Sequence, residues 1–227
     1  MKIMFLGLPG SGKGTYSSRI GHLLGIPHIS TGDIFRDAVK QGSALGNKVS
    51  EYMKRGELVP DEITIEVLRN RLAQPDCKKG FILDGYPRTI SQAEALDKIV
   101  KLDIVFNLSI PENVLVRKLS ARRVCKNCGE IYNVVEIKET INGVKYYMPP
   151  MLPKVLWVCD KCGGELIQRK DDTAEVIEAR LKVYEEQTKP LIEYYKRRGL
   201  LEDVFVSSGP EIMVPAIMAK LKRLEAR

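Results

Sequence analysis

Apolar positions along the chain fall into short continuous runs separated by longer stretches in which they recur at helical spacing. Ile3 to Leu6 is one such run, closed by Gly7, the pattern of a strand buried on both faces. Ile26 to Ile29, Phe81 to Asp84, Ile104 to Ile110 and Val204 to Val206 read the same way. Between them the spacing predicts a helix over 16–24 stopped by Gly25, and two short helices within 31–56, broken at Gly42-Ser43 and closed by Gly56. Further helices are predicted over 61–73 with Asp61 as cap, over 91–100, and from Pro111 onward. Asp172 with Glu175 resembles a capping box opening a long helix to about Arg198, and 212–224 forms the last helix. Strand and helix in alternation imply an α/β fold, a parallel sheet with helices on both faces.

That rhythm fails between about 123 and 168. The segment holds four of the five cysteines, the single Trp157, Tyr146-Tyr147 and Pro149-Pro150, and reads as a small unit inserted in the α/β core. Within it, Val134 to Leu156 predicts a hairpin turning near Asn142-Gly143. Its aromatics either fill the insert's own small core or form a contact surface. A chain of 227 residues accommodates one domain with insertions or two small ones, at about 150 residues per domain. With 44% hydrophobic and 29% charged residues, disorder and fibrous repeats are excluded. No apolar run approaches the roughly 18 residues of a bilayer span, and Ile3–Leu6 is too short for a signal-peptide core. The expectation is a soluble, cytoplasmic protein without membrane contact.

The net charge of +7 points to phosphate-rich partners such as nucleic acid, anionic lipid or nucleotides, without choosing among them. Gly7-Leu-Pro-Gly10-Ser11-Gly12-Lys13-Gly14-Thr15 narrows the choice. It follows a strand and opens a helix, the context in which backbone N–H groups and a helix N-terminus cradle phosphates and a lysine reaches them. The common pattern has Ser or Thr directly after the lysine; here Gly14 stands there and Thr15 comes one later. Asp84 ends an apolar strand, where an acid reaches Mg²⁺ directly or through water, or else caps the next turn. Only His22 and His28 are available for chemistry needing a histidine base.

Cys125-x-x-Cys128-Gly and Cys159-x-x-Cys162-Gly have the spacing of paired zinc knuckles, with four thiolates leaving no open position on the metal. The metal is therefore structural. Zinc is the expected ion, and iron is compatible with the same ligands. Redox dithiols or disulfides are the alternative reading of these pairs, and Cys77 reads as a spare thiol. The pairs are separated by residues 129–158, more than the common ribbon spacing of about 15–20 residues.

The variant phosphate loop, together with Ser30-Thr-Gly-Asp-Ile-Phe-Arg36, Gly80-Phe-Ile-Leu-Asp84-Gly-Tyr-Pro-Arg88 with Gln92, and Arg169-Lys-Asp-Asp172 with Arg180, resembles the adenylate kinase family of nucleoside monophosphate kinases. The resemblance covers nearly the whole chain and is to the long-lid, zinc-containing type. It implies a P-loop nucleoside monophosphate kinase fold, a single domain over 1–227 with a monophosphate-binding insert at 30–59 and a zinc-bearing lid at 121–172. It further implies reversible transfer from Mg·ATP to AMP giving two ADP, with Mg²⁺ and structural Zn²⁺ as cofactors, in a monomer.

Residue by residue, the resemblance places ATP at Gly10, Ser11, Gly12, Lys13, Gly14, Thr15, Arg122, Ile131, Tyr132 and Glu211. AMP falls to Thr31, Arg36, Glu57, Leu58, Val59, Gly85, Tyr86, Pro87, Arg88 and Gln92, with Arg169 and Arg180 bridging the two. Lys13, Asp84, Arg88, Arg122, Arg169 and Arg180 are the implied catalytic set, with Asp33 assisting Asp84. Where relatives carry an arginine that packs on the ATP base, this chain has Lys118, which stacks less well. Lys13 and the five arginines at 36, 88, 122, 169 and 180 take six of the seven net positive charges, so no nucleic acid is needed to explain them. Kinases for UMP, CMP or GMP, and a zinc-ribbon nucleic-acid-binding ATP switch, are the competing readings.

Overall fold

In the computed structural model, which describes residues 1–225, five parallel strands form the centre of the molecule. They are β1 (Lys2–Gly7), β2 (His28–Ser30), β3 (Phe81–Asp84), β4 (Ile104–Ser109) and β10 (Leu201–Phe205), in the order β10-β4-β1-β3-β2. Each is short and apolar because both faces are covered. In β1, Ile3 and Phe5 enter one apolar cluster while Met4 and Leu6 enter the other. Full burial of each such side chain contributes about 1.5–3 kcal/mol. Register aligns Phe5 with Asp84 and Gly7 with Leu108, so the C-terminal ends of β1, β3 and β4 open together at one end of the sheet.

Helices α1 (Lys13–Leu24), α6 (Glu112–Ser120) and α9 (Pro210–Glu225) supply one cluster; α4 (Asp61–Leu72), α5 (Ile90–Ile99) and α8 (Pro190–Arg197) supply the other. Helices α2 (Thr31–Lys40) and α3 (Ala44–Arg55) form a side arm around Phe35, Val49 and Val59. The break at Gly42-Ser43 and the stop at Gly56 fall as the sequence indicates, with the Ser43 hydroxyl capping α3.

The predicted long helix from Asp172 is corrected in two places. Asp172 is no cap: α7 runs Ala174–Val183 behind Thr173, and the Asp172 carboxylate turns inward to Arg122. The helix is then widened to a π turn at Tyr184–Thr188, closed by Lys189 N–H donating to Tyr184 O at 2.8 Å, before α8 begins. Asp61 likewise lies inside the first turn of α4 rather than capping it.

The cysteine insert contains a three-stranded antiparallel sheet of β5 (Arg122–Cys125), β6 (Ile131–Asn133) and β9 (Leu166–Ile167), and a hairpin of β7 (Ile137–Ile141) and β8 (Val144–Met148). The hairpin turns at Asn142-Gly143, with φ of 50° and 79°, as the Asn-Gly pair demands. Its aromatics leave the insert's own core to Cys125, Tyr132, Cys159 and Leu166. Instead Tyr146, with Ile137 and Met148, is buried in the main core cluster on the α1–α9 side. No helix among the described residues is long and apolar enough to cross a membrane.

Candidate active site: a cleft of converging arginines

The loop after β1 enters α1 through Gly12, whose φ of 103° is left-handed. The N-terminus of α1 therefore faces the cleft with Lys13 at its first position. Lys13 Nζ donates to Gly7 O (2.7 Å) and Leu8 O (2.9 Å). Burial lowers its pKa to about 7, and the neighbouring Arg88, Arg180 and Arg122 push in the same direction against the pull of Asp84. Gly14, the residue that departs from the common loop pattern, has a physical reason: a Cβ there would stand 3.3 Å from Asp84 Oδ2. The missing side chain lets the carboxylate at the end of β3 approach the loop.

Asp84 is buried, and burial opposes its ionisation. The hydrogen bond from His28, whose Nε2 is 3.4 Å away, and the charges of Lys13 and Arg88 outweigh that and hold the carboxyl below its ordinary range. An ionised carboxylate on the wall of the cleft is the kind of oxygen ligand that a divalent cation such as Mg²⁺ takes. Asp33 lies nearby but is paired with Arg36, Oδ1 to Nη2 at 2.5 Å.

The arginines come from separate elements. Arg36 is on α2, Arg88 on the turn after β3, Arg122 on β5, Arg169 after β9 and Arg180 on α7. Arg36, Arg88 and Arg180 line two adjoining compartments, one over the phosphate loop and one between the α2–α3 arm and β3. Lys13, Arg122 and Arg169 line the first. Carboxylates fix several of them: Asp172 takes Arg122 in two bonds (2.5 and 2.9 Å), and Asp171 accepts from Arg180 at 3.0 Å. Arg169 is different. Its Nε is buried with no partner among the described residues, and the nearest carboxylate among them, on Asp33, is 3.8 Å away. Burial and the charges of Arg36 and Arg122 bring its pKa down to about 9; burial, with Arg122 and Arg88, brings Arg180 to about 10. Seven cations, Lys118 among them, thus face five carboxylates, Asp33, Glu57, Asp84, Asp171 and Asp172, an excess that a chain of phosphates neutralises.

In the second compartment Thr31 Oγ1 donates to Gly85 O at 2.8 Å, and Arg88 Nε donates to the same oxygen at 2.9 Å. A Cβ on Gly85, at φ 78°, would meet both side chains, so glycine is required there. Gln92 is held at both ends, accepting from Arg88 N–H (2.7 Å) and donating to Asp61 Oδ1 (2.6 Å). Glu57, Leu58 and Val59 line the same wall; Tyr86 is buried behind it, its hydroxyl donating to Gln92 O. Pro87 lines the first compartment, as do Gly10, Gly12, Gly14, Thr15 and Ile131.

Three of the expected donor residues do not turn a side chain into the cleft. Ser11, between Gly10 and Gly12 of the phosphate loop, has its side chain buried, Tyr132 is in the core of the cysteine insert, and the Glu211 side chain is 82% exposed, paired with Arg19. The structure adds residues that sequence reasoning missed. Asn133 and Met151 line the first compartment beside Lys118, and Tyr184 and Thr188 of the π turn line it too. Asp61, His28, Asp171 and Asp172 position the functional groups. Of these, Asp171 and Asp172 stand in the Arg169-Lys-Asp-Asp172 motif, and the π turn carried a local signal in the Thr-Lys-Pro at 188–190.

The four cysteines Cys125, Cys128, Cys159 and Cys162 bring their sulfurs within 4.8 Å of one another, with 3.4 Å between Cys125 and Cys162 and 3.6 Å between Cys128 and Cys159. Four thiolates about 2.3 Å from a tetrahedral ion would be about 3.8 Å apart, so the set fits zinc. The two knuckles repeat one turn, Gly129 N–H to Cys125 O and Gly163 N–H to Cys159 O. At Cys159 burial resists ionisation, but the Tyr132 hydroxyl and the N–H groups of Lys161 and Cys162 prevail and set its pKa at about 6.

The family model described as Adenylate kinase matches residues 5–200. An adenylate kinase of Thermosipho melanesiensis is 47% identical over 228 residues, covering 98% of this chain and 100% of that protein. That of Archaeoglobus fulgidus is 46% identical over 230 residues, with 98% and 100% covered, and that of Caldicellulosiruptor saccharolyticus 50% over 206 residues, with 88% and 89% covered. Likeness of this extent takes in the phosphate loop, the arginine-bearing elements and the cysteine insert together, and the chain belongs to the adenylate kinase family.

Proposed function

We propose that the cleft transfers the terminal phosphoryl group of Mg·ATP to AMP, reversibly and giving two ADP, by positioning and charge neutralisation. The observation that carries the mechanism is the unpartnered, buried Arg169 Nε within a surplus of cations over the phosphate loop. Phosphoryl transfer asks for little else, since its transition state spreads charge over equatorial oxygens. An acceptor phosphate with a second pKa near 6 is mostly a dianion at neutral pH, so no general base is required.

In this reading the α1 N-terminus, Lys13 and Arg122 hold the donor phosphates, and Asp84 accepts the Mg²⁺ that accompanies ATP. Arg36 and Arg88 clamp the acceptor phosphate, with Thr31 and Gln92 at its base. Arg169 and Arg180 stand between the two. Residues 30–59 and the cysteine-bearing parts of 121–172 close over the acceptor and donor while the β7–β8 hairpin stays docked on the core, and closure excludes water, which would otherwise take the phosphoryl group. Contacts between the two arms support this: Lys40 Nζ donates to Lys126 O at 2.9 Å, and Arg169 approaches Asp33. Zinc on the four cysteines would hold the knuckles as one rigid body. A cytoplasmic location, supported by thiols grouped for a metal, completes the proposal, with the enzyme acting as a monomer as the family resemblance implies.

Steady-state kinetics of two variants test the assignment. Arg36→Ala should raise KM for AMP by about tenfold or more with KM for ATP little changed, whereas Arg122→Ala should lower kcat by about 100-fold. A KM effect of Arg36→Ala on ATP alone would contradict it.

A further inference from the structure

The β7–β8 hairpin belongs to the cysteine insert by sequence but to the core by contact. The Tyr146 ring lies 5.7 Å from that of Phe205, and Tyr147 N–H donates to Ser207 O at 2.9 Å. Pro149 abuts Gly209 so closely that a Cβ there would stand 3.2 Å from Pro149 Cδ. Glu139 pairs with Arg117 of α6 at 3.1 Å. These partners belong to the unit that carries the central sheet. Beyond the stiff Pro149-Pro150 step the chain reaches the cleft. Met151 exchanges two backbone hydrogen bonds with Asn133 (2.8 and 3.1 Å), and Asn133 Nδ2 donates to Lys118 O at 2.8 Å. Lys118, Asn133 and Met151 together line the compartment over the phosphate loop, and none of them lines the one beside Thr31.

We infer that the hairpin is a core-anchored brace that fixes the Met151–Asn133 wall where the donor nucleotide's base rests, so that Tyr146 and Pro149 are positioning residues for ATP. This rests on the placement of the donor over the phosphate loop proposed above. A wall held in place before binding spares the donor the entropy of ordering it. The brace acts on donor affinity and leaves the acceptor compartment alone.

The test shortens the hairpin in the full-length protein. Ile137 and Met148 are direct cross-strand partners, so replacing Lys138–Tyr147 by Asn-Gly rejoins them through a two-residue turn. KM for Mg·ATP, and the Kd for ATP alone, should rise about tenfold, with KM for AMP and kcat within about twofold of the parent. Tyr146→Ala should raise KM for ATP about threefold and Tyr146→Phe should match the parent; if the shortened chain does not fold, this pair decides. Unchanged ATP affinity in a folded variant would overturn the brace alone. So would KM values and kcat worsening together, the mark of a scaffold. A rise confined to AMP would overturn both the brace and the donor placement.

Discussion

Lys118 shows how a single side chain carries both a cost and a signal. It lines the cleft without a carboxylate partner among the described residues, and burial lowers its pKa to about 8 from the ordinary 10.5. The protonated form is therefore disfavoured by folding. The cost is fully present below pH 8 and disappears as pH rises from there toward 10.5. Lys118→Met should accordingly stabilise the protein by about 1 kcal/mol near pH 7, and the gain should shrink by pH 10. Denaturant midpoints at the two pH values check this, and a gap that stays flat or widens would contradict it. Residues such as Lys13, Arg36 and Arg88 were legible because each sits in a short motif beside its own strand or helix. His28 and Asp61 were not, because their partners Asp84 and Gln92 lie 56 and 31 positions away and only folding joins them.

Among the elements, the boundaries of the strands and of α2 and α3 followed from local chemistry: apolar runs, Gly42-Ser43 and Gly56. The start of α7 did not. An acid three residues before a glutamate is a sound capping signal, yet a long-range partner outbid it. Asp172 is fully buried and takes Arg122 in two hydrogen bonds, joining β5 to the segment before α7. Such a pair contributes modestly when intact and is expensive to break, because one charge is left uncompensated. Asp172→Asn should lower the unfolding free energy by about 3 kcal/mol and reduce kcat as Arg122 loses its hold. A change under about 0.5 kcal/mol in urea unfolding would show that the pair does not hold the two elements together.

At the scale of the whole molecule, the sheet, its helices and the presence of an inserted metal-type unit were readable, since alternation and C-x-x-C spacing are patterns of one chain segment at a time. The docking of the β7–β8 hairpin on the core was not. Tyr146 and Met148 are as apolar as a small lid core would need, and nothing in their spacing says which surface they cover. The four-cysteine cluster has its own consequence at this scale. Stripping the proposed zinc with a chelator, with its loss confirmed by elemental analysis, should lower the melting temperature by about 5 °C or more. A melt unchanged after verified metal loss would deny the cluster a structural role.

The most direct measurement is ³¹P NMR of the purified protein with Mg·ATP and, separately, AMP, GMP, CMP and UMP. The expected result is ADP formed from AMP, the same equilibrium reached from ADP alone, and no comparable transfer to the other three monophosphates. Transfer to one of those instead, or release of inorganic phosphate without transfer, would contradict the reading of the cleft as an ATP:AMP phosphotransferase site.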